Sequence, residues 1–123
     1  MKEYLASRVR SFGYAIKGIM TLIGTQPHAQ LHLLATILVV AAGWTVHLRR
    51  WEWVVILLCI GMVWMAEALN TAIEFLADEV TLERRERIGK AKDVAAGGVL
   101  VTALVSVAVA ALVFENHLAP LLR

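Results

Sequence analysis

The sequence predicts an all-α membrane protein with a single domain, residues 1–123, in which an N-terminal amphipathic surface helix precedes three transmembrane helices. The first observation behind this prediction is composition: the 123-residue chain is 59% hydrophobic, has a mean hydropathy of +0.69 and contains only two prolines. These values lie outside the average of soluble proteins. The second observation is that apolar runs recur at the length of about 20 residues that a helix needs to cross hydrocarbon.

Residues 1–24 predict the surface helix. Charged residues interrupt every apolar run in this segment, which excludes both a membrane span and a signal peptide: Glu3, Arg8, Arg10 and Lys17. Between them, apolar residues recur at helical spacing: Leu5, Val9, Phe12, Ile16, Ile19 and Ile23. This pattern is typical of a helix lying on an anionic membrane surface. Pro27, acceptable in a first helical turn, then begins the next helix.

The three transmembrane helices are predicted at residues 28–48, 53–77 and 92–115. The first contains a few histidines and threonines, and residues 94–114 of the third carry no charge. The second begins with an uncharged run, residues 53–66, that is too short to span alone. It must therefore continue into the sequence EALNTAIEFLADE, so that Glu67 lies inside or close to the hydrocarbon.

Basic residues predict the orientation in the membrane. Nine of the twelve lysines and arginines lie before the first span or between the second and third, against Arg49, Arg50 and Arg123 on the other side. Because cytoplasmic loops carry the excess of basic residues, we expect a multi-pass membrane protein with a cytoplasmic N-terminus and the C-terminus outside. Tryptophans around the opposite turn agree with this orientation.

Polar residues in the second span fall on one helical face. At 100° per residue, Asn70, Glu74 and Asp78 lie at about −60°, −20° and +20° from Glu67. A charged side chain in hydrocarbon costs roughly 2.5–3.5 kcal/mol, so this stripe must face protein or water and calls for a compensating cation. Lys92, at the start of the third span, is within reach.

Residue types alone leave several uses of this stripe open. A carboxylate partly withdrawn from water, as Glu67 would be, suits proton abstraction from a hydroxyl, and one at the aqueous edge, as Glu74 would be, suits Mg²⁺. Phosphoryl transfer needs little more than such groups and a lysine near the phosphates, although the chain has no Walker-A or protein-kinase motif. A structural polar seam and an ion pathway are the alternatives.

Two further patterns have simpler interpretations. His28 and His32 are four residues apart, but no third metal ligand is evident, so interfacial histidines are the favoured interpretation. The run ERRERIGKAKD, residues 83–93, is predicted to be a short cytoplasmic loop or hairpin. Nucleic acid is not an expected partner, because the formal charge is only +2.

The segment EALNTAIEFLADE, followed by GKAKDVAAGGVL, resembles the small prokaryotic integral-membrane diacylglycerol kinase and undecaprenol kinase family. The family's marks are E-x-x-N-[ST]-A-I-E and an A-K-D before the last helix. The upstream segments FGYAIKG and TQPHAQLHL are also similar, so the resemblance covers nearly the whole chain. Together these motifs are highly specific, whereas E-x-x-N alone would be weak.

The resemblance implies a homotrimer of three-span subunits in the prokaryotic cell (inner) membrane. It also implies that the protein transfers the γ-phosphoryl group of ATP, with Mg²⁺, to a membrane lipid alcohol. In that pattern Glu67 is the general base, Asn70 supports the site and Glu74 binds the metal of Mg-ATP. The residues that would contact nucleotide are Lys92 and Asp93, which match a family motif, and Tyr14 and Glu83, which have less motif support.

One position departs from the diacylglycerol-specific branch. That branch has a second metal-binding glutamate where this chain has Gln26, whose amide oxygen can ligate Mg²⁺ but supplies no charge. Gln26 followed by His32 resembles the undecaprenol kinase branch, which slightly favours undecaprenol as acceptor over diacylglycerol and leaves the number of metals open. The alternative from another class, a non-enzymatic or ion-coupled helical assembly, would lack Mg²⁺-dependent ATP binding.

Overall fold

The computed structural model describes residues 1–119 as four helices, and the predicted exterior C-terminus, with Arg123, lies outside the described residues. The helices are α1 (Lys2–Thr25), α2 (Pro27–Thr45), α3 (Arg50–Val80) and α4 (Glu86–Leu118). The last three are long and apolar enough to cross a membrane. The predicted all-α fold with three membrane-spanning helices is therefore confirmed.

Helix α1 is almost fully exposed and packs on the rest of the chain only through its C-terminal part. Leu22 is its one buried residue. Gln26 has an extended backbone (φ −109°, ψ 113°) and lies between the end of α1 and the beginning of α2. The Gln30 side chain of α2 donates a hydrogen bond to the carbonyl of Ile23 of α1 at 3.1 Å. The apolar residues of α1 are therefore free for contact with lipid or another subunit. The position of α1 on the membrane surface stays a prediction.

The turn between α2 and α3 is a tight reversal that ends α2 with a left-handed residue. His47 has φ 56°, its N–H donates to the carbonyl of Trp44 at 3.3 Å, and the N–H of Leu48 donates to the carbonyl of Gly43 at 3.1 Å. This pair of bonds is a Schellman motif. Leu48 is buried against the α3·α4 core, so the turn is part of the packed structure.

Gly43 is required by this packing. A Cβ atom at this position would lie 2.8 Å from Leu48 Cδ1 and 2.9 Å from Trp53 Cη2. The absence of a side chain lets α2 approach the beginning of α3, where Trp44 and Trp53 also meet with ring centroids 5.9 Å apart.

Helices α3 and α4 run antiparallel and form the most extensive interface of the chain. A buried apolar cluster lies at the end of this interface next to the α2–α3 turn and consists of Leu48 of the turn, Ile56 of α3 and Val113 of α4. Polar contacts near both ends and in the middle define the register of the two helices: Glu52 with His117, Ser106 with the carbonyl of Cys59, and Asp78 with Lys92. Glu52 and Asp78 are about 39 Å apart along α3 at 1.5 Å per residue, which approaches the full thickness of a bilayer.

The connection between α3 and α4 is shorter than the sequence indicates. Helix α4 begins at Glu86, so residues 86–93 of the predicted loop are helical and only residues 81–85 connect the two helices. The alternating charges stabilise a helix here: Lys90 contacts Glu86 one turn earlier at 2.6 Å, and an acid in a first turn complements the helix dipole. In the connection, the N–H of Glu83 donates to the Thr81 hydroxyl at 3.0 Å.

Candidate functional site

The side chains of the polar stripe become more exposed toward the C-terminal end of α3. Glu67 is 2% exposed, Asn70 7% and Thr71 4%. One to two turns further on, Glu74 is half-buried and Asp78 is exposed. The helical spacing predicted that these side chains share one face, and the structure adds that the face runs from the packed interior of the bundle to its open end.

The structure brings His32 of α2 next to Glu67. Nε2 of His32 lies 3.7 Å from Oε2 of Glu67, and the imidazole is itself largely buried. The sequence interpretation of His32 as an interfacial histidine did not include this contact, and the depth of His32 in the membrane stays a prediction. Counting back from the α2–α3 turn places His32 about 20 Å along α2 and Glu67 about 26 Å along α3. This count brings the two residues into the same region of the bundle but does not pair them.

A hydrogen-bonded bridge one turn away holds α2 and α3 in this register. The indole Nε1 of Trp64 donates to the Thr36 hydroxyl at 3.1 Å. That hydroxyl in turn donates to the carbonyl of His32 at 2.7 Å. The bridge ties the turn of α2 that carries His32 to the turn of α3 that precedes Glu67.

Asn70 links the buried and open parts of the stripe. Its Nδ2 donates to Oε1 of Glu74 at 3.3 Å. Its Oδ1 and the hydroxyl of Thr71 are buried without a hydrogen-bond partner within residues 1–119. Because buried polar atoms are normally paired, these two atoms mark a place where a ligand or ordered water would be bound.

The outer end of the stripe is paired with α4. Nζ of Lys92 lies 3.0 Å from Oδ1 of Asp78, and both side chains are partly exposed. Lys92 is thus the compensating cation that the sequence placed within reach, although it neutralises Asp78 rather than the buried Glu67. Asp93, the next residue of α4, is exposed.

Three of the predicted site residues lie apart from this cluster of contacts. Tyr14 is exposed on α1, and Glu83 is exposed in the α3–α4 connection beside Arg85, at 3.5 Å. Gln26 is half-buried between α1 and α2. Within the part of the chain that the structure describes, none of these side chains forms a hydrogen bond with the stripe, and their roles stay predictions.

The residues of the stripe fit a magnesium ion whose ligands are mainly water molecules and the phosphates of the substrate. The described residues contain no group of three histidine, cysteine or acidic side chains that would form a metal cage. Mg²⁺ however keeps several waters and is bound by one or two carboxylates together with substrate phosphates. The half-buried carboxylate of Glu74, oriented by Asn70, supplies such an oxygen ligand.

Two cavities are lined in part by Thr71 and by His32, respectively. A cleft of about 460 Å³ lies between α1 and α3, where Thr71 lines it among mostly apolar residues such as Leu22 and Phe75. A smaller cavity of about 150 Å³ lies between α2, α3 and α4, with His32 at its wall. Both are lined largely by apolar residues, as a site for a hydrocarbon chain requires.

Comparison with known proteins gives consistent matches. The family described as "Prokaryotic diacylglycerol kinase" matches residues 13–114. The chain is 38% identical over 105 residues to the undecaprenol kinase of Bacillus subtilis, an alignment that covers 85% of both chains. It is 34% identical over 100 residues to the diacylglycerol kinase of Synechocystis, and that match covers 80% of this chain and 57% of the relative.

Proposed function

The chain belongs to the prokaryotic diacylglycerol kinase family, and from that premise we propose that it transfers the γ-phosphoryl group of ATP to the hydroxyl of a membrane lipid alcohol. The observation that carries the proposal is the stripe of α3, which places a buried carboxylate, Glu67, on the same helical face as a half-buried one, Glu74, to which Asn70 donates a hydrogen bond. A hydrocarbon-bound alcohol and an aqueous nucleotide can meet along such a stripe.

Glu67 accepts the proton of the acceptor hydroxyl in this proposal. The hydroxyl oxygen then attacks the γ-phosphorus, the bond from phosphorus to the bridging oxygen of ATP breaks, and ADP leaves with the electron pair. A positioned general base of this kind contributes about 10²–10⁴-fold to rate. The buried position of Glu67 keeps water from competing for the phosphoryl group.

Glu74 and Lys92 serve the nucleotide. Mg²⁺, when bound, neutralises charge on the phosphates, and Glu74 is the residue that would hold it, with Gln26 as the candidate second ligand. Lys92 and Asp93 lie at the start of α4, next to the open end of the stripe, which is where phosphates would arrive from the cytoplasm. Tyr14 and Glu83 complete the proposed nucleotide contacts.

Undecaprenol is the favoured acceptor. The match to the Bacillus undecaprenol kinase is higher in identity and covers more of both chains than the match to the Synechocystis diacylglycerol kinase. Gln26 also resembles the undecaprenol kinase branch. Diacylglycerol, which would give phosphatidic acid, is the second candidate, supported by the description of the matching family and by the Synechocystis relative.

The proposal includes a homotrimer in which α1 covers the site. In support, the apolar residues of α1 and most of α4 face outward and are available for lipid or subunit contacts. The acceptor would enter laterally from the bilayer through the cleft between α1 and α3. The cytoplasmic N-terminus follows from the distribution of lysine and arginine.

The test is transfer of labelled phosphate from ATP by the purified protein in micelles that contain either undecaprenol or diacylglycerol. We expect Mg²⁺-dependent transfer with a preference for undecaprenol, and a loss of about 10²–10⁴-fold in kcat for Glu67→Gln. Glu79→Gln is the matched control, since Glu79 is an exposed acid on the same helix, about 120° away from Glu67. Full turnover by Glu67→Gln in a folded oligomer would exclude the proposed mechanism.

A further inference from the structure

We propose that His32 is the positioning residue of Glu67: its Nε2–H holds one carboxylate oxygen, Oε2, so that the other, Oε1, faces the acceptor hydroxyl. The inference rests on the proposed function, because it gives Glu67 the proton-accepting role. It adds a residue of α2 to a site that otherwise consists of residues of α1, α3, α4 and the loops between helices.

The first argument is that Glu67 has no hydrogen-bond donor within the described residues, whereas the other two acids of the stripe, Glu74 and Asp78, each have one. Asn70 donates to Glu74, and Lys92 contacts Asp78. Within residues 1–119, Glu67 forms no hydrogen bond, and His32 is the one group of potential positive charge that approaches it. A buried carboxylate without a donor is costly, and the imidazole of His32 is a potential donor that lies close to it and can also carry a compensating positive charge.

The second argument is that α2 is fixed so that His32 points at Glu67. Ala29, His32 and Thr36 share one face of α2 within about 60°. Ala29 is completely buried, and Thr36 is bridged to Trp64 of α3. The face that carries His32 is therefore buried one turn before the imidazole and bonded to α3 one turn after it.

The third argument comes from the surroundings of the imidazole. His32 lines the 150 Å³ cavity between α2, α3 and α4, whose wall is mostly aliphatic, including Val39, Ile60 and Val63. In such low-polarity surroundings a hydrogen bond between imidazole and carboxylate is stronger than in water. The distance of 3.7 Å exceeds hydrogen-bond range, and catalytic contacts commonly shorten when substrate binds.

The experiment compares three variants at position 32 in the kinase assay. His32→Leu keeps much of the volume and removes the donor, His32→Gln retains an N–H donor near the position of Nε2, and His32→Asn has the same amide on a shorter side chain. We expect His32→Leu and His32→Asn to lower kcat about 10–100-fold, as loss of an orienting partner commonly does, with the KM values for ATP and lipid unchanged. His32→Gln should recover most of this loss.

The matched control is His28→Leu, because His28 is exposed one turn earlier on α2. Size-exclusion profiles and thermal unfolding in detergent check that each variant is folded. A purely structural role of His32 predicts that the His32→Asn and His32→Gln variants behave alike and that their loss of activity follows their loss of stability. If His32→Leu falls out of solution, the comparison of the two amides still decides the question.

The two proposals fail in different ways. An inactive wild-type protein, or an active Glu67→Gln variant, would overturn the proposed function itself. A Glu67-dependent kinase whose His32→Leu and His32→Asn variants retain wild-type kcat would overturn only the role of His32. A change confined to the KM for lipid would also overturn it, because it would assign His32 to acceptor binding instead of to positioning of the base.

Discussion

The carboxylate of Glu52 and the imidazole of His117 lie 2.9 Å apart and join the first turn of α3 to the last turn of α4. The same oxygen of Glu52 accepts the backbone N–H of Arg49 at 2.7 Å. Glu52 therefore satisfies one of the unpaired N–H groups at the start of α3 and holds the end of α4 at the same time. The pair lies at the opposite end of the α3·α4 interface from Lys92 and Asp78.

We predict that Glu52→Gln and His117→Leu each lower the unfolding temperature in detergent by several degrees. Removal of one partner leaves the other largely buried and without its bond, so the double variant should be little worse than the more damaging single variant. Differential scanning fluorimetry measures these shifts. Glu115→Gln, at an exposed acid two residues before His117, is the control, and additive losses in the double variant would contradict a direct interaction.

The pairing of Lys92 with Asp78 predicts an effect on nucleotide affinity. Lys92 carries its charge on a flexible stem, and Asp78 fixes the ammonium at 3.0 Å. We expect Asp78→Asn to raise the KM for Mg-ATP several-fold and to leave the KM for the lipid acceptor unchanged in steady-state kinetics.

The neighbouring pair of Lys90 and Glu86, 2.6 Å apart, supplies the control for Asp78→Asn. It is an exposed i, i+4 pair on the same helix, and Glu86→Gln should leave both KM values unchanged. Equal effects of the two variants would mean that general surface charge, and not the position of Lys92, determines nucleotide affinity.

The close approach at Gly43 predicts a sensitive position in the α2–α3 turn. Gly43→Ala places a methyl group within 3 Å of Leu48 and Trp53, so we expect a loss of about 1–3 kcal/mol in unfolding free energy. Equilibrium unfolding in detergent measures it. Gly61→Ala should be tolerated, because a Cβ there meets no atom of residues 1–119 within 4 Å. Equal destabilisation by both substitutions would refute the packing argument.

The unpaired hydroxyl of Thr71 predicts a separation of stability from activity. Thr71→Val removes a buried group that has no hydrogen-bond partner within the described residues, so stability should be unchanged or slightly higher. Because Thr71 lines the cleft between α1 and α3, we expect transfer to the lipid to fall several-fold, with recovery in Thr71→Ser. A fully active Thr71→Val variant would show that the hydroxyl takes no part in substrate binding.

The local features of this protein were predictable from its sequence. Hydropathy located the three spans because a span is a property of consecutive residues. The 100° period placed Glu67, Asn70, Glu74 and Asp78 on one face for the same reason. The length of the α3–α4 loop is overestimated from sequence, because the charged residues of 86–93 are also typical of a solvated loop. Opposite charges spaced by four residues stabilise a helix instead.

The contacts between helices were not predictable in the same way. The proximity of His32 to Glu67 depends on the register of α2 against α3, which the Trp64–Thr36 bridge and the Schellman turn fix. The contact of Glu52 with His117 joins residues that are 65 positions apart and depends on the register of α3 against α4. Neither register follows from a helical period.

The sequence by itself determined the membrane class, the helix count, the chemical character of the polar stripe and the family resemblance. It did so because hydropathy, periodicity and motif spacing are encoded in neighbouring residues. Only the tertiary structure decided which partner each polar side chain has: His32 for Glu67, Lys92 for Asp78 and His117 for Glu52. The physical reason is that a shift by a single residue along a neighbouring helix rotates a side chain by about 100° and moves it 1.5 Å, which is enough to break any of these contacts.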